Sequence, residues 1–220
     1  MSVDVRLYAI IDPDRSGGHA LADLTRLVAA GGATLVQLRD KHSDTRKMVE
    51  RARVIKQALP AGIPLLINDR VDVALVAGAD GVHIGQDDMT ADDARRLLGP
   101  DAIIGLSIKS VAHAKAAPIE FLNYVAIGGV FETTSKNNPD PAVGLAGLQS
   151  IAAAFRHRAP RLPICAIAGI HAGNAPEVIA AGADGVSVIS ALSLADDPAD
   201  AARRLRAAVD HGLSKRRYTL

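Results

Sequence analysis

The sequence has no tryptophan, a single cysteine and only three per cent aromatic residues, and its formal charge is close to zero at +1. One cysteine cannot form an internal disulfide. Cys165 lies in the apolar run Leu-Pro-Ile-Cys-Ala-Ile, which suits a buried thiol rather than a nucleophile. The near-zero charge gives no support for a nucleic-acid or polyanion partner. The basic segment Lys215-Arg216-Arg217 is expected to be a solvated tail. No apolar run reaches the roughly 18–20 residues needed to span a bilayer, and no secretory pattern precedes the first strand. A soluble cytoplasmic protein is expected. No low-complexity linker divides residues 1–220, so a single domain is expected.

Nearly half of the residues are apolar. With so few rings, the core is filled by Ala, Val, Ile and Leu, a composition suited to close packing of helices on strands. Short β-type runs fall at Leu7–Ile11, Thr34–Arg39, Leu65–Asn68, Gly81–Ile84, Ile103–Ser107, Tyr124–Gly128, Ile164–Ala168 and Gly185–Ser190. Each is followed by a helical stretch, and eight such units predict a single-domain (β/α)8 barrel of the TIM type, an α/β fold.

An internal echo supports this. Ala-Gly-Ala-Asp-Gly-Val occurs at 77–82 and again at 181–186, with a looser relative, Ala-Gly-Gly-Ala-Thr-Leu-Val, at 30–36. In each copy a helix is expected to end on a left-handed glycine (Gly78, Gly182 and Gly31) before a turn feeds the next strand. Asp80 and Asp184 then fall at the bottom of the barrel, where stability roles are expected.

Chemistry on this fold sits at the C-terminal ends of the strands. The second strand ends Gln37-Leu38-Arg39-Asp40-Lys41, where alternation puts Gln37, Arg39 and Lys41 on one face, climbing from interior to rim. The third ends at Asn68 and Asp69, and the fourth leads past His83 and Gln86 to Asp87 and Asp88. Carboxylates on adjacent strand tops, with cations opposite, suit magnesium shared with substrate phosphates. Each pair taken alone could equally cap the helix that follows it. His83 is expected to be a hydrogen-bonded strand histidine. The fifth strand brings Ser107 to the mouth. The sixth leads into the longest candidate loop, about 129–143, whose Thr133, Thr134, Ser135 and Lys136 can donate to phosphate oxygens. The last two strands lead to Gly169, Ile189 and Ser190, where this fold often binds phosphate through backbone amides. No Ser-His-Asp arrangement, thiol nucleophile or histidine metal cluster is present, so the inventory is one of anion sites and a cation site.

Taken in order, Gln-Leu-Arg-Asp-Lys (37–41), Ile-Asn-Asp-Arg (67–70), Ala-Asp-Gly-Val-His-Ile-Gly-Gln-Asp-Asp (79–88), Ile-Gly-Leu-Ser (104–107), Thr-Thr-Ser-Lys (133–136), Ala-Gly-Ile (168–170) and Val-Ile-Ser-Ala (188–191) resemble the thiamine-phosphate synthase family over nearly the whole chain. The resemblance implies a magnesium-dependent transferase of thiamine biosynthesis. It would join a hydroxymethylpyrimidine diphosphate to a thiazole phosphate, with or without a carboxylate, and release pyrophosphate.

It further implies that Gln37, Leu38, Arg39, Asp40, Lys41, Asn68, Ser107 and Lys136 hold the pyrimidine diphosphate, with Arg39, Lys41, Ser107 and Lys136 as the catalytic members. Asp69 and Asp88 would bind Mg2+, and Thr133, Thr134, Ser135, Gly169, Ile189 and Ser190 the thiazole phosphate. The chain departs from the family's usual pattern at Gly129, Glu132 and Ala168. A thiazole tautomerase-like isomerase and a non-catalytic phosphate-binding barrel are the competing readings. Homo-oligomer formation is left open by the sequence.

Overall fold

A computed structural model of the chain describes residues 3–135 and 141–217. Eight parallel strands close into a barrel in chain order: β1 (Leu7–Ile11), β2 (Leu35–Leu38), β3 (Leu65–Asn68), β4 (Gly81–Ile84), β5 (Ile103–Ile108), β6 (Tyr124–Ile127), β7 (Ile164–Ile167) and β8 (Gly185–Val188), with β8 pairing back onto β1. The helices are α1 (Leu21–Ala30), α2 (Thr45–Ala58), α3 (Val71–Ala77), α4 (Ala91–Leu98), α5 (Val111–Ala116), α6 (Gly144–Arg158), α7 (Ala175–Ala180), α8 (Ser190–Ser193) and α9 (Pro198–Arg217). The barrel is therefore the predicted one, and every strand lies within two residues of its expected bounds. No helix among the described residues is long and apolar enough to cross a membrane.

Strands covered on both faces read as unbroken apolar runs. Leu7, Ala9 and Ile11 pack outward with the helices, whereas Tyr8, Leu35, Leu66, Tyr124 and Cys165 meet inside the barrel. Burial pushes the Cys165 thiol up in pKa, which keeps it protonated and inert, as expected of a packing residue.

The internal echo has a structural cause at the bottom of the barrel. The residue before each even-numbered strand caps the preceding odd-numbered strand with both backbone and side chain. Thr34 Oγ1, Asp80 Oδ2, Asn123 Oδ1 and Asp184 Oδ2 accept from the N–H groups of Leu7, Leu65, Ile104 and Ile164 at 2.8–3.1 Å. The backbone N–H of each cap donates to the carbonyl of the residue it caps. A glycine follows both aspartates, because a Cβ at Gly81 or Gly185 would overlap the backbone of Ile103 or Val5. Asp80 also binds Lys56, and Asp184 binds Arg156 and Arg216. Both are scaffold residues.

Two expectations are corrected here. Gly78 and Gly182 have positive φ as predicted, but Gly31 is right-handed (φ −78°), and the positive φ falls on Gly32 (+102°). Gly31 is needed for a different reason: α9 crosses so close that a Cβ would overlap Ala199 and Ala202. The segment at 215–217 is also not a solvated tail. It is the last turn of α9, and Arg216 donates to the Ala183 carbonyl at 2.7 Å and pairs with Asp184.

Candidate active site

A cavity of about 630 Å³ opens at the C-terminal ends of the strands. Its floor is a hydrogen-bonded chain of buried polar side chains. Gln37 on β2 bonds the Tyr8 hydroxyl on β1. Tyr124 on β6 donates to Tyr8 at 3.0 Å, and its oxygen lies 2.8 Å from His83 Nδ1 on β4. His83 Nε2 lies 2.9 Å from Ser107 Oγ on β5. His83 is thus the hydrogen-bonded strand histidine expected, and it also lines the cavity.

This chain exists because Gly105, paired with both His83 and Tyr124 in register, has no side chain, so the Tyr124 ring lies across it. The His83 and Tyr124 rings stack with centroids 5.6 Å apart. Burial drives the pKa of both tyrosines upward, so they stay neutral.

Charge enters one layer higher. Arg39, just past β2, donates to Asp12 Oδ2 at 2.5 Å, and the Asp12 side chain is only 3% exposed. Lys41 pairs with Asp69, which follows β3. Asp69 holds a positive φ of 61°, uncommon outside glycine, while its N–H donates to the His83 carbonyl at 2.8 Å.

Asp88 accepts from the Gly85 N–H at 2.7 Å and lies within hydrogen-bonding reach of Asp69. Burial raises the Asp88 pKa, the Gly85 N–H pulls it back, and the Asp69 carboxylate adds to the rise, leaving it above the ordinary value. Neither carboxylate is used to cap a helix: Thr90 caps α4, and α3 has no side-chain cap. Two converging carboxylates give the hard oxygen donors that Mg2+ takes. No group of three or more His, Cys, Asp or Glu side chains converges on a metal position among the described residues. An ion there would complete its shell with water or a bound phosphate.

The opposite wall comes from β6 to β8. Ser135 Oγ donates to Ser190 Oγ at 3.0 Å, joining the loop after β6 to the start of α8. The Ser135 N–H donates to Thr133 Oγ1, and Arg15 holds the Thr134 carbonyl at 2.6 Å. Gly169 (φ +65°) is required because a Cβ would sit 2.6 Å from both Glu132 O and Phe131 Cβ. The four-residue α8 after β8 is the short extra helix that often completes a phosphate pocket in this fold. The Leu192 N–H already donates to the Ile189 carbonyl at 3.1 Å, which leaves only the earliest N–H groups of this turn to face an anion.

The structure therefore gathers Gln37, Arg39, Asn68, Ser107, Thr133, Thr134, Ser135, Gly169, Ile189 and Ser190 around one cavity, with Lys41, Asp69 and Asp88 beside it. Leu38 and Asp40 lie elsewhere. Leu38 is in the apolar layer beneath the helices, and Asp40 holds Arg51 at 2.6 Å and the Ser43 N–H at 3.1 Å. Lys136 lies outside the described residues.

Of the departures, Glu132 lines the cavity and is exposed to solvent, Gly129 has φ +70°, and Ala168 has φ +94°, a geometry that favours glycine. Sequence reasoning missed Tyr8, Tyr124, Asp12, Lys109 and Ser187. Strand alternation alone would have turned Tyr8, Tyr124 and Ser187 inward, but nothing local marks them as contacting one cavity.

Residues 7–192 match the family described as thiamine monophosphate synthase. A thiamine-phosphate synthase from Agrobacterium fabrum is 50% identical over 215 residues, covering 97% of this chain and 98% of its own. The enzyme of that name from Moorella thermoacetica is 45% identical over 210 residues, covering 95% and 98%. The solved thiamine phosphate pyrophosphorylase from Pyrococcus furiosus superposes with a TM-score of 0.82 at 34% identity, covering 96% of this chain and 98% of its own.

Proposed function

The chain belongs to the thiamine monophosphate synthase family, and on that basis we propose that its cavity joins a pyrimidine-methyl diphosphate to a thiazole phosphate, giving thiamine phosphate and pyrophosphate. The observation that carries the reading is the division of one cavity into two walls. A wall bearing Arg39, with Lys41 and a carboxylate pair beside it, faces a hydroxyl-rich wall (Thr133, Ser135, Ser190) next to a helix start. This suits one diphosphate and one monophosphate brought together over a polar floor.

In this reading Gln37 and Asn68 orient the pyrimidine ring, with Ser107 beside them. Arg39, Lys41 and Lys136 hold the diphosphate. Its C–O bond breaks as those cations take up the growing negative charge, and the electron pair leaves with pyrophosphate. The thiazole nitrogen then donates its lone pair to the pyrimidine-methyl carbon. No proton need be removed from the nucleophile.

Asp69 and Asp88 would hold Mg2+, which supplies further charge neutralisation to the departing pyrophosphate. Thr133, Thr134, Ser135, Gly169, Ile189 and Ser190 would bind the thiazole phosphate. An isomerase acting on a thiazole phosphate alone has no use for the Arg39, Lys41, Asp69 and Asp88 group.

The test is direct. Purified protein with Mg2+ and both substrates should yield equimolar thiamine phosphate and pyrophosphate. Absence of both products from folded protein would overturn the proposal, and binding without turnover would favour the non-catalytic reading.

A further inference from the structure

Ser187 lies in the middle of β8 and lines the cavity, only 2% exposed, yet its hydroxyl has no hydrogen-bond partner among the described residues. It is the one buried side-chain oxygen or nitrogen described in this state. A buried hydroxyl without a partner is destabilising, so its retention here points to a role with a ligand. The residues on either side, Val186 and Val188, do pack into the apolar layer.

Its surroundings restrict what it meets. In register it faces Tyr8 on β1 and Ile167 on β7. The polar chain uses the hydroxyls of Tyr8, Tyr124 and Ser107, all within the β1, β2 and β4 to β6 part of the floor. Ile10, Ala126 and Ile167 also line this cavity, and no described side chain bonds the Ser187 hydroxyl.

Chain position bears on which ligand reaches it. Ser187 stands two residues before Ile189 and three before Ser190, which line the same cavity at the start of α8. A two-residue strand rise, about 6.6 Å at most, is comparable to a two-carbon phosphate ester arm hung from the pocket at Gly169, Ile189 and Ser190.

We propose that Ser187 is a specificity-determining contact for the acceptor, its hydroxyl donating to the sulfur of the thiazole phosphate ring, which leaves the nitrogen lone pair free to attack and fixes that ring's rotation. This rests on the function proposed above and adds to it the residue that recognises the ring rather than the phosphate.

The test compares wild type with Ser187→Ala and Ser187→Cys, using calorimetric titration with thiazole phosphate and with ethyl phosphate, which carries the arm without the ring. Losing one hydrogen bond should weaken thiazole phosphate about tenfold in Ser187→Ala, with ethyl phosphate unchanged and a smaller loss in Ser187→Cys. In turnover, KM for the thiazole substrate should rise while KM for the pyrimidine diphosphate stays put.

Folding is not at risk, since removing an unpaired buried hydroxyl should hold or raise the melting temperature. Equal thiazole phosphate affinity in wild type and Ser187→Ala overturns the inference, as does an equal loss for ethyl phosphate. If wild type binds thiazole phosphate but forms no product, the synthase proposal fails, and the two titrations still decide the role of Ser187.

Discussion

Asp12 and Arg39 meet at 2.5 Å, carboxylate oxygen to guanidinium nitrogen, across the tops of β1 and β2. The carboxylate is nearly sealed from solvent, and the guanidinium is 16% exposed at the edge of the cavity. Asp12 also accepts the Asp14 N–H at 3.0 Å, which fixes the short turn after β1. Arg39 is thereby aimed before any ligand arrives, which reduces the ordering cost of binding.

Asp12→Asn should therefore act through Arg39. We expect KM for the pyrimidine diphosphate to rise about tenfold, in keeping with the weakening of one charge-assisted hydrogen bond. KM for the thiazole phosphate should be unaffected. Steady-state kinetics with each substrate varied in turn checks this, and equal rises in both would show a general loss of structure instead.

Asp69→Asn and Asp88→Asn should each shift the Mg2+ activation curve to higher concentration by at least tenfold, because each removes one of two anionic donors. Magnesium titrations of the rate at fixed substrate measure it. Unchanged curves in both variants would remove the metal assignment.

Ala168 holds φ +94° directly after β7, where an L side chain is strained. Ala168→Gly should relieve about 1 kcal/mol net of the added chain entropy and raise the melting temperature by about 2–4 °C. Scanning calorimetry is the readout, and a lower melting temperature would show that the surrounding loops, not strain, set this position.

A methyl at Gly105 would occupy the space of the Tyr124 ring. Gly105→Ala should cost about 2 kcal/mol and roughly 5 °C of melting temperature. In a Tyr124→Leu background the same change should cost clearly less, because the overlapping ring is gone. A double-mutant cycle in denaturant isolates that coupling.

Asp40 reports on the scaffold beside the site, where the chain passes from β2 to α2. Burial pushes its pKa up, but the hydrogen bonds from Arg51 and the Ser43 N–H outweigh this and hold it below the ordinary 3.8. A carboxylate depressed on folding contributes stability above its unfolded pKa and loses it as pH falls through the folded value. Asp40→Asn should therefore lower the melting temperature by about 5 °C at pH 7. The gap to wild type should close as both are taken below about pH 3.8. A gap independent of pH would mean that Arg51 does not hold the charged form.

Much of the molecule is legible in short-range patterns. Apolar runs such as Leu-Leu-Ile require burial on both faces, and eight such strands alternating with helices leave a closed parallel barrel as the natural solution. The same local logic places Asp80 and Asp184 at the bottom, and Asp69, Asp88, Ser107 and Ser190 at the top. Alternation along one strand likewise puts Gln37 and Arg39 on the cavity side.

What only the tertiary structure decides involves partners far apart along the chain. The Tyr8–Tyr124 hydrogen bond spans 116 residues and forms only because barrel closure brings β1 and β6 to face each other across a side-chain-free Gly105. Arg39 finds Asp12, and Asp40 turns away to Arg51, because strand pairing fixes which carboxylates lie within reach. Backbone propensity and strand alternation act over a few residues, so the sequence alone determined the elements, their order and the residues at their ends. Hydrogen bonds and packing depend on through-space distance, so closure of the barrel decided which side chains share a cavity and which serve as scaffold.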